Sequence, residues 1–118
     1  MAEAELQIAQ AAFQAGNLAQ AGHLYQQVLR NNPRDMQALY GLGLVCIEAQ
    51  QFSHAEYVFH EFVRLQPQHA DAHCIRGVAL ARLGRRQEAL ACFERALSLH
   101  PDSVEAISNY GTVLFELG

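Results

Sequence analysis

Residues Gly77 to Pro101 read GVALARLGRRQEALACFERALSLHP, and this stretch decides the fold. From Ala70 to Leu83 the apolar residues recur at spacings of three and four, the period of a helix with one buried face. Gly84 closes that helix, because glycine accepts the left-handed conformation that ends one. A second helix is predicted from Arg86 to Leu99, and Pro101 blocks its continuation. Outward from this unit the pattern repeats, with Pro33, Pro67 and Pro101 at intervals of 34 residues. The same step aligns Ala9, Gly43, Gly77 and Gly111 as a small column, and Ala21, Ala55 and Ala89 as another. It also aligns the aromatic residues Tyr25, Phe59 and Phe93, and the turn residues Gly16, Gln50, Gly84 and Gly118. A fixed period of this length signals stacked supersecondary units, none of which can bury its apolar face alone.

The predicted units cover residues 2–35, 36–69 and 70–103, followed by one more first-helix over 104–117, seven helices in all. No stretch alternates with the period of two that a half-buried strand requires, so the fold class is all-α. Asn17 with Gln20, and Ser53 with Glu56, read as capping boxes, while Asp35 and Ser103 read as caps of the next first-helices. The small columns predict close approach of a first-helix glycine to a second-helix alanine, with the aromatic column filling the space between units.

The run Gly77-Val78-Ala79-Leu80, then Leu83-Gly84-Arg85, Glu88-Ala89-Leu90-Ala91-Cys92-Phe93, Ala96-Leu97 and Pro101 resembles the tetratricopeptide repeat. The first two units resemble it more loosely, and the resemblance extends over the whole chain as a single domain, 1–118. It implies a right-handed α-solenoid, or superhelix, whose concave face is lined by first-helices and holds ligands. Carried over by column, it implies a groove of Leu6, Gln10, Phe13 and Gln14 in the first unit, and Gln37, Tyr40, Leu44, Ile47 and Glu48 in the second. The third unit would add Asp71, Cys74, Val78, Ala81 and Arg82, and the last helix Glu105, Ser108, Thr112, Phe115 and Glu116. Some members of the family clamp a terminal carboxylate with Lys, Asn and Arg. Here the corresponding columns hold Leu6, Gly41 and Ile75, and the chain has no lysine. The groove therefore reads as apolar, suited to a peptide or amphipathic helix with apolar anchors.

Composition narrows the alternatives. The 118 residues carry eight basic groups, all arginine, against twelve acidic ones, a formal net charge of −4 that argues against nucleic-acid binding. No run approaches the roughly 20 apolar residues of a membrane span, so no membrane partner is expected. Met1 to Gln10 carries Glu3 and Glu5 and no base, unlike a secretory signal. Cys46, Cys74 and Cys92 form no CxxC pair and read as reduced core thiols, which places the chain in the cytoplasm.

No catalytic arrangement, cofactor or metal site is read from the residues. Ser53, Ser98, Ser103 and Ser108 lack a nucleophile-elbow context, and no glycine-rich phosphate loop is present. His69 and His73 flank Asp71, but two imidazoles and one carboxylate fall short of a ligand set; His73 shares a column with Leu39 and Ile107 and is expected to pack. Cys74 faces the implied groove without an electropositive neighbour to activate it. Glu56 and His60 read as a surface pair, and Arg82, Arg85, Arg86 and Arg95 as a basic face answered by Glu88, Glu94 and Glu116. Arg76 interrupts an otherwise apolar column, so its stem should lie along the packing face with its head turned outward.

The ends differ. Glu5 gives the first unit a polar outer face where later units place Leu39, His73 and Ile107. The last helix keeps Tyr110, Val113, Leu114 and Leu117, an apolar pattern expected to pack on a following helix of a longer parent protein or to self-associate. The expected function is protein–protein interaction through the groove. The alternatives are the targeting arm of an enzyme whose catalytic domain lies beyond Gly118, or a self-assembling scaffold.

Overall fold

The computed structural model describes residues 2–118, and Met1 lies outside the described residues. Seven helices follow one another among them: α1 (Ala2–Gln14), α2 (Leu18–Asn31), α3 (Met36–Glu48), α4 (Phe52–Leu65), α5 (Ala70–Arg82), α6 (Arg86–Leu99) and α7 (Val104–Leu117). Helices α1, α3, α5 and α7 begin 34 residues apart, as do α2, α4 and α6. The three proline segments therefore occupy equivalent settings. Neighbouring helices pack in sequence, giving an all-α solenoid of 48 × 24 × 21 Å.

Each hairpin turn is closed by its own backbone. Gly16, Gln50 and Gly84 take positive φ values of 84°, 60° and 80°. The following amides then reach back five residues, Asn17 N to Ala12 O at 2.8 Å, Gln51 N to Cys46 O at 2.8 Å and Arg85 N to Leu80 O at 2.9 Å. Side-chain capping at the start of the second-helices is therefore not used, which corrects the two capping boxes. Asn17 makes no side-chain cap bond, and Ser53 lies inside α4, behind the N-cap Gln51. The longer turn between units leaves its amides to side chains. Asp35 Oδ1 accepts from Ala38 N at 2.9 Å, and Ser103 Oγ accepts from Ala106 N at 3.1 Å. His69 completes that column, its Nδ1 accepting from Ala72 N at 3.1 Å.

The small column meets rings rather than alanines. A Cβ on Gly43 would stand 2.5 Å from Phe59 Cε2, and one on Gly77 would stand 2.7 Å from Phe93 Cε1. Phe59 and Phe93 thus fill their own hairpins, and it is Tyr25 that reaches into the next unit, against Gly41. Two apolar clusters result. One runs from Ala9 through the second hairpin to Ala79, the other from Cys74 to Val113.

Arg76 finds the carboxylate that the sequence left unnamed. Its Nε donates to Glu56 Oε2 at 3.0 Å, both side chains largely buried, so Glu56 joins α4 to α5 instead of pairing with His60. Arg85 binds Glu88 at 2.7 Å, Arg86 lies 3.3 Å from Glu116, and Glu94 accepts from the Tyr110 hydroxyl at 3.0 Å. That last bond corrects the reading of α7: Tyr110 leans on α6 and Val113 is buried, while Leu114 and Leu117 are exposed.

Candidate functional site

Helix α1 supplies Leu6, Gln10 and Phe13, and α3 supplies Tyr40 and Leu44; spacings of three and four put each set on one face. The two faces enclose a cleft of about 670 Å³. Leu6, Phe13, Met36, Tyr40 and Leu44 give it an apolar floor, extended by Tyr25, Gly41 and Phe62. Its rim is made of the neutral amides Gln7, Gln10, Gln14 and Gln37, together with Glu3 and His69.

Tyr40 is the anchor of this site. Its ring stands edge-on to Phe59 and Phe62, with centroids 5.6 and 5.3 Å away, and tilts against His69 at 5.3 Å. His69 in turn is held by the cap bond of its Nδ1 and by an edge contact with Phe62 at 5.1 Å. The wall is therefore fixed by packing and by the start of α5 together. Burial pushes the Tyr40 hydroxyl above its ordinary pKa, and nearby Asp71, Glu105 and Cys74 add to the shift. The ring presents a neutral hydroxyl at physiological pH.

The groove implied by the sequence is thus divided. Leu6, Gln10, Phe13, Gln14, Gln37, Tyr40 and Leu44 come together around the cleft. Ile47 packs against the first apolar cluster and Val78 against the second, each partly buried, while Glu48 is exposed at the end of α3. Cys74 does not face an open groove. It is only 4% exposed, Asn109 Nδ2 lies 3.9 Å from its Sγ, and burial pushes its thiol up to about 11. Arg82 is drawn to the turn edge, its guanidinium 5.3 Å from the centre of the Phe52 ring. Thr112 turns its hydroxyl onto Ser108 O at 3.0 Å, and Phe115 is 87% exposed, so neither lines the cleft.

Sequence reasoning missed Glu3, Gln7, Tyr25, Met36, Phe62 and His69. Tyr25 and Phe62 belong to second-helices, which a rule built on first-helices passes over. His69 was legible as the member of the cap column between Asp35 and Ser103. One nitrogen of each ring is already engaged: His69 Nδ1 caps α5, and His73 Nε2 donates to Pro67 O at 2.8 Å. No cluster of three or more His, Cys, Asp or Glu suited to a metal ion occurs among the described residues. No helix among them is long and apolar enough to cross a membrane.

Known proteins match this architecture. The tetratricopeptide repeat family matches residues 6–70 and again 70–103, and the chain belongs to that family. The RNA polymerase-associated protein CTR9 of Caenorhabditis elegans is 28% identical over 96 residues, which cover 80% of this chain and 8% of that protein. The BBSome complex member BBS4 of Bos taurus is 29% identical over 86 residues, 73% of this chain and 17% of that protein. The chain thus spans less than a fifth of the length of these curated relatives. Among solved structures, MamA from Desulfovibrio magneticus RS-1 superposes with a TM-score of 0.96 at 21% identity, over 99% of this chain and 66% of that one. The first repeat domain of Spaghetti (RPAP3), bound to the HSP90 peptide SRMEEVD, gives 0.93 at 22% identity, over 98% and 92% of the two chains. At these identities the likeness is one of fold.

Proposed function

We propose that this tetratricopeptide repeat chain is a protein-interaction module that holds a polypeptide segment with two or three apolar anchors in the cleft between α1 and α3. The observation that carries this reading is the pairing of an apolar floor with a neutral amide rim. The floor takes side chains, and the glutamines can donate to and accept from the backbone of an extended segment, so that its peptide groups keep hydrogen-bond partners. Each buried anchor contributes about 1.5–3 kcal/mol, against several kcal/mol for association, which leaves micromolar binding.

The ligand differs in charge from the one in the RPAP3 structure, the acidic peptide SRMEEVD. Among the described residues, Glu3 is the one carboxylate lining this cleft and no arginine lines it, Arg76 and Arg82 being engaged on Glu56 and Phe52. A carboxylate-rich segment would meet no cation here. The preferred segment is uncharged at its centre, with a basic residue tolerated near Glu3. Binding rather than catalysis is the role these residues support, and the proposed compartment is the reducing cytoplasm, in keeping with three free buried thiols.

Selection from a random dodecapeptide phage library tests the proposal. Enriched peptides should share two or three apolar positions and lose at least tenfold in affinity to a Leu6→Glu or Tyr40→Ser variant that retains its helical circular dichroism. Enrichment of acidic carboxy-terminal motifs, or affinities unchanged by both substitutions, would refute it.

A further inference from the structure

The second residue of each first-helix falls in one column, Glu3 of α1, Gln37 of α3, Asp71 of α5 and Glu105 of α7, at intervals of 34 residues. All four are exposed. Negative charge in a first turn suits the helix dipole, which accounts for acids at this position but not for the side of the solenoid they occupy. Glu3 and Gln37 line the cleft, one from each wall. Asp71 and Glu105 continue that edge past it. Besides burial, both push up the Tyr40 hydroxyl and the Cys74 thiol, which stand one unit apart in the column that begins with Leu6 in the cleft. The first-helix side is therefore edged by three carboxylates and one amide, and the amide is the member one turn from Tyr40. Among the described residues none of these three carboxylates is in an ion pair. Every carboxylate that an arginine holds, Glu56, Glu61, Glu88 and Glu116, lies outside the row.

We infer that the first-helix side docks a basic segment of a partner polypeptide, its apolar anchors seated between α1 and α3 and its lysines or arginines meeting Glu3 on one flank and Asp71 with Glu105 on the other. This rests on the cleft reading above and adds the charge of the ligand. First-helices α1 and α3 touch, as do α5 and α7. Helices in contact stand roughly 10 Å apart, a distance that an extended segment crosses in about three residues. The anchors thus lie opposite Gln37, the neutral place in the row. One basic residue lies about three positions to one side of them, and a pair about three residues apart lies on the other. The surface is open with its neighbours in place: α3 has α1, α2 and α4 packed on it, yet its cleft side is uncovered. A further unit stacked on α7 would lengthen the row and cover none of it.

The random dodecapeptide library supplies the probes. Panned at low salt on the intact 118-residue chain, it should enrich apolar positions flanked by lysine or arginine. Panned on an Asp71→Lys, Glu105→Lys double variant, it should enrich aspartate or glutamate on one flank instead. The leading peptide of the first selection, resynthesised with serine for each basic residue, should bind about fivefold more weakly. Its own affinity should fall about as far between 0.05 and 0.5 M salt, while the serine version stays nearly level. Should the double variant lose its helical circular dichroism, Asp71→Asn with Glu105→Gln takes its place and should weaken the leading peptide severalfold. Apolar peptides without basic flanks, bound equally by the chain and its variants, would overturn the inference and leave the cleft reading standing. No enrichment, or binding that Leu6→Ser leaves unchanged, would overturn both. A dimer in sedimentation that the double variant abolishes, with no peptide retained, would also overturn it, since the occupant would then be a second copy.

Discussion

The Phe93 ring lies directly before Gly77, so close that a Cβ there would come within 2.7 Å of its Cε1. Phe93 is fully buried and has no room to withdraw, so Gly77→Ala forces repacking of the hairpin. A loss of about 1–3 kcal/mol is expected, read as a lowered urea midpoint at unchanged m-value. Gly111 shares that column but faces open space, and alanine there should raise stability by about 0.5–1 kcal/mol through helix propensity alone. One column, two signs: equal effects at both positions would contradict the packing described.

The turn column gives a second test. Gln50 holds φ = 60° where the equivalent positions carry Gly16 and Gly84. A side chain in the left-handed region costs about 1–2 kcal/mol, partly offset by the greater unfolded freedom of glycine. Gln50→Gly should therefore stabilise the chain by about 0.5–1 kcal/mol, measured by chemical unfolding; Gln50→Ala should not.

These two positions also show how far the sequence could be read. Spacing alone located every helix, because each unit repeats the same punctuation and the same apolar period. Partners across helices were less legible. Gly43 and Gly77 announced close approach, but whether an alanine or a ring approached depended on the angle between helices. Arg76 was visible as an intruder in an apolar column, yet Glu56 became its partner only when α4 met α5. Which groove positions share one cleft was less legible for a similar reason. Helical register places Cys74 and Arg82 on the first-helix face, but Asn109 covers the one and Phe52 draws away the other.

Arg76 and Glu56 bond at 3.0 Å with side chains 21% and 16% exposed. Such a pair lies between surface bridges and buried ones, so a coupling energy of about 1–2 kcal/mol is expected from the Arg76→Leu and Glu56→Gln double-mutant cycle. The coupling should fall only slightly from 0.05 to 0.5 M salt, because a largely buried pair is poorly screened. A value near zero would reduce the pair to surface decoration.

Burial holds the His73 imidazole below its ordinary pKa of 6.5, aided by Arg95, Arg76 and His69 and opposed by the bond to Pro67 O. Between the folded value and 6.5 the unfolded chain binds more protons, so this contribution to stability is complete above about pH 6.5 and is lost as pH falls through the folded value. His73→Leu, which restores the residue type of Leu39, should flatten that part of the slope. Comparing urea midpoints at pH 5 and 7.5 checks it: the parent chain should lose more than the variant, and equal losses would count against the assignment.

Methyl chemical-shift mapping reaches the proposed interaction most directly. With leucine, valine and isoleucine methyls labelled, titration of a library-selected apolar peptide should move Leu6 and Leu44 in a single saturable process, leaving Leu114 and Leu117 in place. Shifts confined to α7, or spread evenly over the chain with Leu6 and Leu44 unmoved, would contradict a binding cleft between α1 and α3.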